Sequence, residues 1–330
     1  MSLIRNTSKG LYCEEGGFYI DPWQPVSRAI ITHAHADHSR HGMKHYCAHQ
    51  FSVPVMKHRL GADISIEGKR YNETFTMNGV KVSFHPAGHI PGSAQVRVER
   101  NGEVWVVSGD YKTVVDNLST PFECVKCQNF ITESTFGLPV FNWEDEEEVF
   151  KRINYWWSGL KDEGKVAVIF AYALGKAQRI LSGLETDIGK IFVHKAIANT
   201  NEALKDIVTI PLVHPVNPEL TKKDYQGSLI LATPGSIGAS WLKKVGPHET
   251  ASASGWMAIR GTRRRLNTDK GFILSDHADW KGLNQTVSDT GAENVYVTHG
   301  YSTIYSKFLR EQGLNAQVLE TSFGDENLQE

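Results

Sequence analysis

Cysteine is scarce in this chain of 330 residues. It occurs four times, at Cys13, Cys47, Cys124 and Cys127. So few thiols in a chain of this length exclude a disulfide-based scaffold. Cys124 and Cys127 form a C-x-x-C pair, but no second pair stands at the spacing of a zinc finger and no thioredoxin-like sequence surrounds it. We therefore expect free thiols in or near a strand, without a functional role.

Long apolar runs are absent as well. The longest runs have the length of a strand, which argues against a membrane-spanning helix. The first ten residues, MSLIRNTSKG, contain no apolar signal core. These observations predict a cytoplasmic protein. The length exceeds that of one ordinary core and predicts two lobes, or one large domain with an insertion.

Neither sign of charge dominates, because 35 Lys and Arg residues face 37 Asp and Glu residues and the net charge is −2. A strongly basic chain would by itself point to nucleic acid. In this chain any site for a polyanion has to be local. The densest basic segment is MAIRGTRRR, in which a solvated turn is the simplest interpretation on charge alone; it contains Arg260, Arg263, Arg264 and Arg265.

Segments with strand and helix periodicity alternate along the chain. AQVRVERNGEVWVVSGD predicts a hairpin with its turn at Asn101-Gly102. EEEVFKRINYWWSGL predicts a helix with one apolar face, formed by Val149, Ile153, Trp156 and Leu160. Strand–helix units typical of a parallel α/β arrangement follow, and we expect a boundary near residues 138–150.

The segment ITHAHADHSR, residues 31–40, concentrates metal-ligand side chains: His33, His35, Asp37 and His38. Because residues i and i+2 of an extended segment point the same way, His33 and His35 can hold one metal ion together. We expect a helix to begin next, so that Asp37 and His38 turn away and hold a second ion. Imidazole suits zinc and similar ions, and the carboxylate adds a hard oxygen ligand.

Ligand-type residues also stand at the ends of five predicted strands: His33, Asp110, Glu133, His277 and His299. In α/β proteins such strand ends gather at one edge of a sheet. A further histidine, His89, lies in the rigid loop PAGHIPGS. Asp110 would be costly if it were buried alone, but stable between two cations. The pattern therefore predicts a site for two metal ions.

HAHADH, GHIPGS and SGD, in this order, resemble the motifs of the metallo-β-lactamase superfamily, whose fold is an α/β four-layer αββα sandwich. TESTFG, SDHAD and THG resemble the three additional motifs of its β-CASP branch, which contains nucleases of RNA and DNA. FAYALGKAQRIL resembles the start of the inserted cap domain of that branch. The resemblance implies a first metallo-β-lactamase part at residues 1–140, an α/β cap at 141–256 and a closing part at 257–330.

The resemblance implies two divalent transition-metal ions, with zinc as the first choice and manganese as the second. One ion would be held by His33, His35 and His89, the other by Asp37, His38 and His299, with Asp110 between them. Asp21, in YIDPW, is implied to orient a ligand. Such a pair of ions would bind a phosphodiester and lower the pKa of a water molecule.

The resemblance also implies which residues move protons. His277 is the implied general acid for the leaving oxygen, and Glu133 would orient it. The resemblance also implies a catalytic role for Asp37, in addition to its role as a ligand. Taken alone, Glu133 would be read as a surface carboxylate at a strand end, and only its place after the metal motifs favours the catalytic role.

Within the branch, the compact length and stretches such as IDPWQPV and FITESTFGLP most resemble the bacterial DNA ligase-associated exonucleases. That resemblance implies a DNA exonuclease that processes DNA ends in repair, beside an ATP-dependent DNA ligase and a helicase. The alternative is a β-CASP ribonuclease, because a histidine at the last motif, here His299, is typical of members that cut RNA. A small-molecule hydrolase without a cap is disfavoured by the long insertion between Glu133 and His277, and a scaffold that has lost its ligands is disfavoured by the filled ligand positions.

Substrate phosphates need donors beyond the metal ions. Ser252 and Ser254, in ASASGW, offer hydroxyl and backbone N–H groups, although ordinary loop chemistry explains them equally well. Three arginines precede the strand that leads to His277 and are candidates for a grip on the phosphate backbone: Arg260, Arg263 and Arg264.

Overall fold

The computed structural model describes residues 2–217 and 219–321, apart from the side chains of Thr262 and Arg263. The chain divides into two compact units. The first unit combines the segment that ends at Asn142 with the segment that begins at His277, and the second unit is Trp143–Asp276. The division after Asn142 lies within the range 138–150, where the sequence predicts a boundary.

The fold is mixed α/β. In chain order the strands are β1 (Arg5–Thr7), β2 (Gly10–Cys13), β3 (Phe18–Ile20), β4 (Arg28–Ile31), β5 (His45–His49), β6 (Ile66–Lys69), β7 (Thr74–Met77), β8 (Val80–Pro86), β9 (Ala94–Arg100), β10 (Glu103–Val107), β11 (Asn129–Glu133), β12 (Val166–Phe170), β13 (Ile191–Val193), β14 (His214–Pro215), β15 (Leu229–Ala232), β16 (His248–Ala253), β17 (Lys270–Phe272), β18 (Asn294–Thr298) and β19 (Asn315–Val318).

The α-helices are α1 (Val53–Leu60), α2 (Glu146–Asp162), α3 (Lys176–Ser182), α4 (Lys195–Leu204), α5 (Lys222–Tyr225), α6 (Arg260–Arg265), α7 (Trp280–Thr290) and α8 (Ser302–Glu311). Short 3-10 helices lie at Pro234–Ser236, Ser240–Lys244 and Gly255–Ala258. Among the described residues, no helix is both long enough and apolar enough to cross a membrane.

The first unit contains two sheets. The strands of one sheet follow chain order from β1 to β6, with antiparallel pairs up to β3 and parallel pairs from β3 onward. The order in the other sheet is β19-β18-β11-β10-β9-β8-β7. Its hairpin β9–β10 turns at Asn101 and Gly102, both with positive φ (51° and 85°), which confirms the predicted turn.

The two sheets share a hydrophobic core. Phe18, Ile20 and Ile30 of the first sheet pack in one cluster with the inward side chains of the second, among them Val82 and Phe84. This packing follows from the alternation of apolar residues along β8, because every second side chain points to the same face. The opposite face of the second sheet packs against α7 and α8. Both sheets therefore end their parallel strands at an edge where loops can converge.

The second unit has one parallel sheet with the strand order β14-β13-β15-β12-β16-β17. Helix α2 buries the apolar face that the sequence predicts, formed by Val149, Ile153, Trp156 and Leu160. Because β17 pairs with β16, this compact unit continues to Asp276, beyond residue 256, where we predicted the cap to end.

Helix α2 provides a test of packing in the second unit. Trp157 is fully buried and its Nε1 donates to the carbonyl of Gly227 at 3.1 Å, whereas Tyr155 on the same helix is 84% exposed. We expect Trp157→Ala to lower the free energy of unfolding by about 3–5 kcal/mol, because a large cavity forms. Tyr155→Ala should change it by less than about 0.5 kcal/mol. Urea denaturation followed by circular dichroism measures both, and equal effects would contradict the packing described.

Candidate metal centre

The histidine-rich segment after β4 forms successive turns. We predicted a helix starting near Asp37, and this is wrong: the first α-helix among the described residues is α1, which begins at Val53. Both the amide and the hydroxyl of Ser39 donate to the carbonyl of His35, at 2.9 and 2.8 Å. These bonds close a tight turn. Because of this turn, Asp37 and His38 both approach Asp110. In the predicted helix they would have turned away.

The first ligand cluster consists of His33, His35, His89 and Asp110, each with a nitrogen or oxygen atom within 4.8 Å of those of the others. The three imidazole rings form a triangle with centroids 4.9 Å apart in every pair. Nε2 of His89 lies 3.1 Å from Nδ1 of His35. Three imidazoles and a carboxylate are the donor set that zinc and similar ions accept.

The second cluster consists of Asp37, His38 and His299, within the same 4.8 Å limit. Nε2 of His38 lies 3.4 Å from Oδ2 of Asp37, and the rings of His38 and His299 are stacked with centroids 5.2 Å apart. The structure therefore brings together all seven residues that the sequence predicts as ligands. Their role as ligands stays a prediction.

Asp110 lies between the two clusters. Its Oδ2 is 3.4 Å from Nε2 of His33, 3.6 Å from Nε2 of His38 and 3.9 Å from Nε2 of His89. Its Oδ1 is buried and makes no hydrogen bond within the described part of the chain. A buried carboxylate oxygen without a hydrogen bond is costly unless a cation compensates it. The donor set and this oxygen both fit metal ions.

Backbone conformation aims two of these side chains. Gly109, before Asp110, has φ +56°, and a Cβ there would lie 2.6 Å from the side chain of Thr32. His299 also has a positive φ, +55°, which is uncommon for a residue with a Cβ. Gly300 follows it, and a Cβ there would lie 2.4 Å from Cα of Thr135. The chain thus turns sharply after β10 and β18, and these turns direct Asp110 and His299 toward the same point.

Asp21 supports the second cluster by contacting His38. Its Oδ2 lies 2.7 Å from Nδ1 of His38, and its two oxygens accept the amide and the hydroxyl of Thr32 at 2.8 and 2.5 Å. With Nδ1 of His38 engaged in this way, Nε2 faces the ligand cluster. This contact corresponds to the orienting role that the resemblance implies for Asp21.

The electrostatics of the centre favour positive charge at His38 and disfavour it at His33. Burial, reinforced by the charge of His38, lowers the pKa of His33 to about 4. Although burial opposes it, three neighbouring carboxylates, of which Asp37 acts most strongly, raise the pKa of His38 to about 10. The carboxylates therefore attract a proton to the centre, and a metal cation would satisfy the same negative charge.

His277 and Glu133 form a buried pair beside the first cluster. Nδ1 of His277 lies 2.9 and 3.1 Å from the two carboxylate oxygens of Glu133, one of which also accepts the amide of Tyr111 at 2.7 Å. Burial raises the pKa of Glu133, although the charge of His277 opposes this. The ring of His277 lies 4.6 Å from that of His89. This geometry holds the imidazole of His277 in a fixed orientation beside the ligand-type residues.

The predicted substrate contacts lie in the second unit. Ser252 belongs to β16 and not to a loop, and it is buried. The hydroxyl of Ser254 accepts the amide of Trp256 at 3.2 Å, so it caps a 3-10 helix. Arg260 and Arg264 are exposed on α6, while the side chain of Arg263 lies outside the described residues. A role in substrate binding stays a prediction for all five.

Sequence reasoning missed two supporting residues. Thr32 donates its hydroxyl to Asp21, and that oxygen lies 3.1 Å from Nδ1 of His33. Arg59, on α1, donates to the carbonyl of Ala34 at 2.6 Å and to Oγ of Ser39 at 2.7 Å, which ties down the histidine-rich turns. The polar Thr32 at the end of an apolar strand was a usable signal. Nothing in the sequence around Arg59 marks it.

No protein-family model matches the chain. A protein named Probable DNA ligase from Opitutus terrae is 29% identical over 316 residues, which are 94% of this chain and 30% of the relative. Endoribonuclease YSH1 of Kluyveromyces lactis is 24% identical over 301 residues, 72% of this chain and 38% of the relative. Endoribonuclease ysh-1 of Neurospora crassa is 32% identical over 131 residues, 38% of this chain and 15% of the relative.

The chain thus spans less than two fifths of the length of these curated relatives. A crystal structure of a protein of unknown function from Enterococcus faecalis V583 superimposes with a TM-score of 0.61 at 12% identity, covering 89% of this chain and 79% of that one. At this level of identity the structural likeness concerns the fold alone.

The position of Asp110 between the clusters leads to a prediction about metal content. We expect the protein, loaded with zinc or manganese and freed of excess ion, to retain about two ions per chain. Asp110→Asn should reduce this to about one or fewer, because it removes negative charge shared by both clusters. Asp63→Asn, at an exposed turn, should leave it unchanged. Elemental analysis measures the content, and one ion or none in the unaltered protein would contradict the prediction.

Proposed function

The chain belongs to the β-CASP branch of the metallo-β-lactamase superfamily, and from this premise we propose that it is a metal-dependent phosphodiesterase, specifically a DNA exonuclease that processes DNA ends. The observation that carries the proposal is Asp110, buried between two clusters of ligand-type side chains with an oxygen that makes no hydrogen bond. A generic buried carboxylate would be hydrogen-bonded or paired with one cation.

Each cluster would hold one divalent ion, with zinc as the first choice and manganese as the alternative. Bound ions of this kind stabilise charge on phosphoryl oxygens and lower the pKa of water. The role of the protein itself is to hold the proposed ligands in place. Asp21 fixes the ring of His38, and Thr32 fixes Asp21. Asp37 is one of the proposed ligands that are only partly buried and therefore open to solvent and substrate.

His277 is the proposed general acid. The carboxylate of Glu133 engages Nδ1 and orients the ring, and the ring would deliver a proton to the leaving 3′ or 5′ oxygen. A carboxylate–imidazole pair fixes both the ring orientation and the tautomer, as general acid–base catalysis requires. Glu133 is itself fixed by the amide of Tyr111.

The choice of DNA rests on coverage. The relative named as a DNA ligase matches along 94% of this chain, whereas the endoribonucleases of Kluyveromyces lactis and Neurospora crassa match along 72% and 38%. This favours the resemblance to DNA ligase-associated exonucleases, and with it an ATP-dependent ligase and a helicase as partners. The second candidate is an RNA endonuclease, favoured by the endoribonuclease names and by His299 at the last motif.

The four-layer αββα sandwich is part of the same proposal. The two sheets that share a core, with α7 and α8 on the outer face of one, are compatible with an αββα sandwich. The parallel sheet of Trp143–Asp276 is proposed to be the cap domain of the branch.

Labelled oligomers test the choice of polymer. DNA and RNA of equal sequence, each labelled at either end, are incubated with the protein and zinc or manganese. We expect DNA to be shortened from an end, with release of nucleotides or short fragments. Asp110→Asn and a chelator should both abolish the product ladder. If the protein cuts RNA internally and leaves the matched DNA intact, the ribonuclease is the correct function.

Two histidines with different proposed roles provide a second test. His277→Ala should retain both ions and lose about 10²–10⁴-fold in rate on DNA, because a general acid contributes this much. A bis(4-nitrophenyl) phosphate substrate, whose leaving group hardly needs a proton, should recover most of the loss. His299→Ala should lose metal and show no such recovery.

The exposed His58 supplies the control for both variants, since His58→Ala should behave as the unaltered protein. If His277→Ala loses a metal ion while His299→Ala keeps both, the two roles are reversed.

A further inference from the structure

A cleft of about 380 Å³ lies on the outer side of the first sheet, within the first unit. It is lined by Lys9, Arg28 and Lys44, by Tyr12 and Tyr19, and by backbone of the adjoining loops. No carboxylate of the described residues lines it. We call this surface the cationic cleft. None of the ligand residues described above belongs to it, so it is separate from the metal centre.

The cations of the cleft are available to a ligand. Lys9, Arg28 and Lys44 are exposed, and no ion pair joins them to an acidic side chain within residues 2–217 and 219–321. The acids of the turn after β2, Glu14 and Glu15, pair with Arg5 at 3.0 Å and with Arg100. The cleft therefore has a local positive charge although the whole chain is slightly negative.

Two tyrosines form its floor. Tyr12 of β2 and Tyr19 of β3 face each other across the sheet, and their rings stack with centroids 4.4 Å apart. Both rings are only partly buried, so they offer aromatic surface to a ligand. Cations that follow a backbone together with aromatic surface for bases are the features by which proteins bind single-stranded nucleic acid.

The cleft is connected to the metal centre through the backbone. The backbone carbonyl of Lys9 accepts the amide of Trp23 at 3.1 Å. Trp23 lies two residues after Asp21, which contacts His38. At the other end Lys44 donates its amide to the carbonyl of Val26 at 3.0 Å. The cleft thus begins beside the end of β3 that leads to the metal centre and continues along the sheet away from it.

We propose that the cationic cleft binds the phosphodiester backbone of a single-stranded polynucleotide, outside the metal centre, a proposal that rests on the nuclease function proposed above. Its volume lies in the lower part of the range of about 300–1,000 Å³ for small-ligand sites, so it suits individual nucleotides of a strand and not a duplex. Aromatic stacking and contacts to the phosphate backbone do not depend on the identity of the base, so the binding should be tolerant of sequence.

Charge reversal with a matched control tests the cleft. The cleft variant carries Lys9→Glu, Arg28→Glu and Lys44→Glu. The control carries Lys57→Glu, Lys81→Glu and Lys307→Glu, which changes the net charge equally at exposed positions of the same unit outside the cleft. Glutamine versions of both triples guard against misfolding, and circular dichroism checks the fold of each.

Binding of fluorescein-labelled single-stranded DNA and RNA of equal sequence is measured by anisotropy in a chelator, which prevents cleavage. We expect the cleft variant to bind at least about tenfold more weakly and to reduce the slope of log affinity against log salt by about 2, because three phosphate contacts are lost. The DNA and RNA arms show which polymer occupies the cleft, and a loss with either supports the proposal. The control should stay within about twofold of the unaltered protein.

Hydrolysis of bis(4-nitrophenyl) phosphate separates this proposal from the proposed function, because that substrate is too small to need the cleft. If the small diester is not hydrolysed but the cleft variant alone loses polynucleotide binding, the proposed hydrolysis is wrong and the cleft remains a nucleic-acid site. Equal affinity of the cleft variant and the unaltered protein, or equal losses in both triples, overturns the cleft proposal.

Discussion

The buried negative charge of Asp110 is the constraint on which the metal centre depends. Asp110 follows β10, which ends at Val107, and the histidine nitrogens around its carboxylate lie at 3.4–3.9 Å. Burying an unpaired carboxylate costs several kcal/mol, so the surrounding loops have to supply positive charge or a cation. The turns at Gly109 and His299, both with positive φ, bring Asp110 and His299 close to the histidine-rich segment.

The proposed ligand residues come from both sheets of the first unit, and this links the centre to the core. The histidine-rich turns follow β4 of one sheet, whereas His89, Asp110 and His299 follow β8, β10 and β18 of the other. The relative position of the two sheets is set by the apolar cluster between them. Bound metal would therefore stabilise the packing of the two sheets as well as the loops, because binding free energy is also folding free energy when a site spans several elements.

The sequence was sufficient for the parts of this fold that repeat or that carry unusual chemistry. Helical periodicity predicted the apolar face of α2, the turn residues predicted the β9–β10 hairpin, and ligand-type residues at strand ends predicted which side chains meet. It was insufficient where tertiary contacts decide. We predicted a helix where the structure has turns around Asp37. The local spacing of residues does not show that this segment has to turn so that both clusters can form around Asp110. Arg59 gave no signal because its partners are backbone and hydroxyl oxygens far along the chain.

A chain of net charge −2 can still bind a polyanion if its cations are segregated. At physiological ionic strength, fields between exposed charges fall off over about 8 Å, so the local arrangement matters more than the total. In the first unit the acids of the turn after β2 are paired with Arg5 and Arg100, which leaves Lys9, Arg28 and Lys44 unopposed along one cleft. The centre, in contrast, concentrates carboxylates that would repel phosphate without metal ions. A nuclease of this design would therefore engage the strand through its cationic cleft independently of metal, and its metal centre would act on phosphate only once the carboxylates are neutralised.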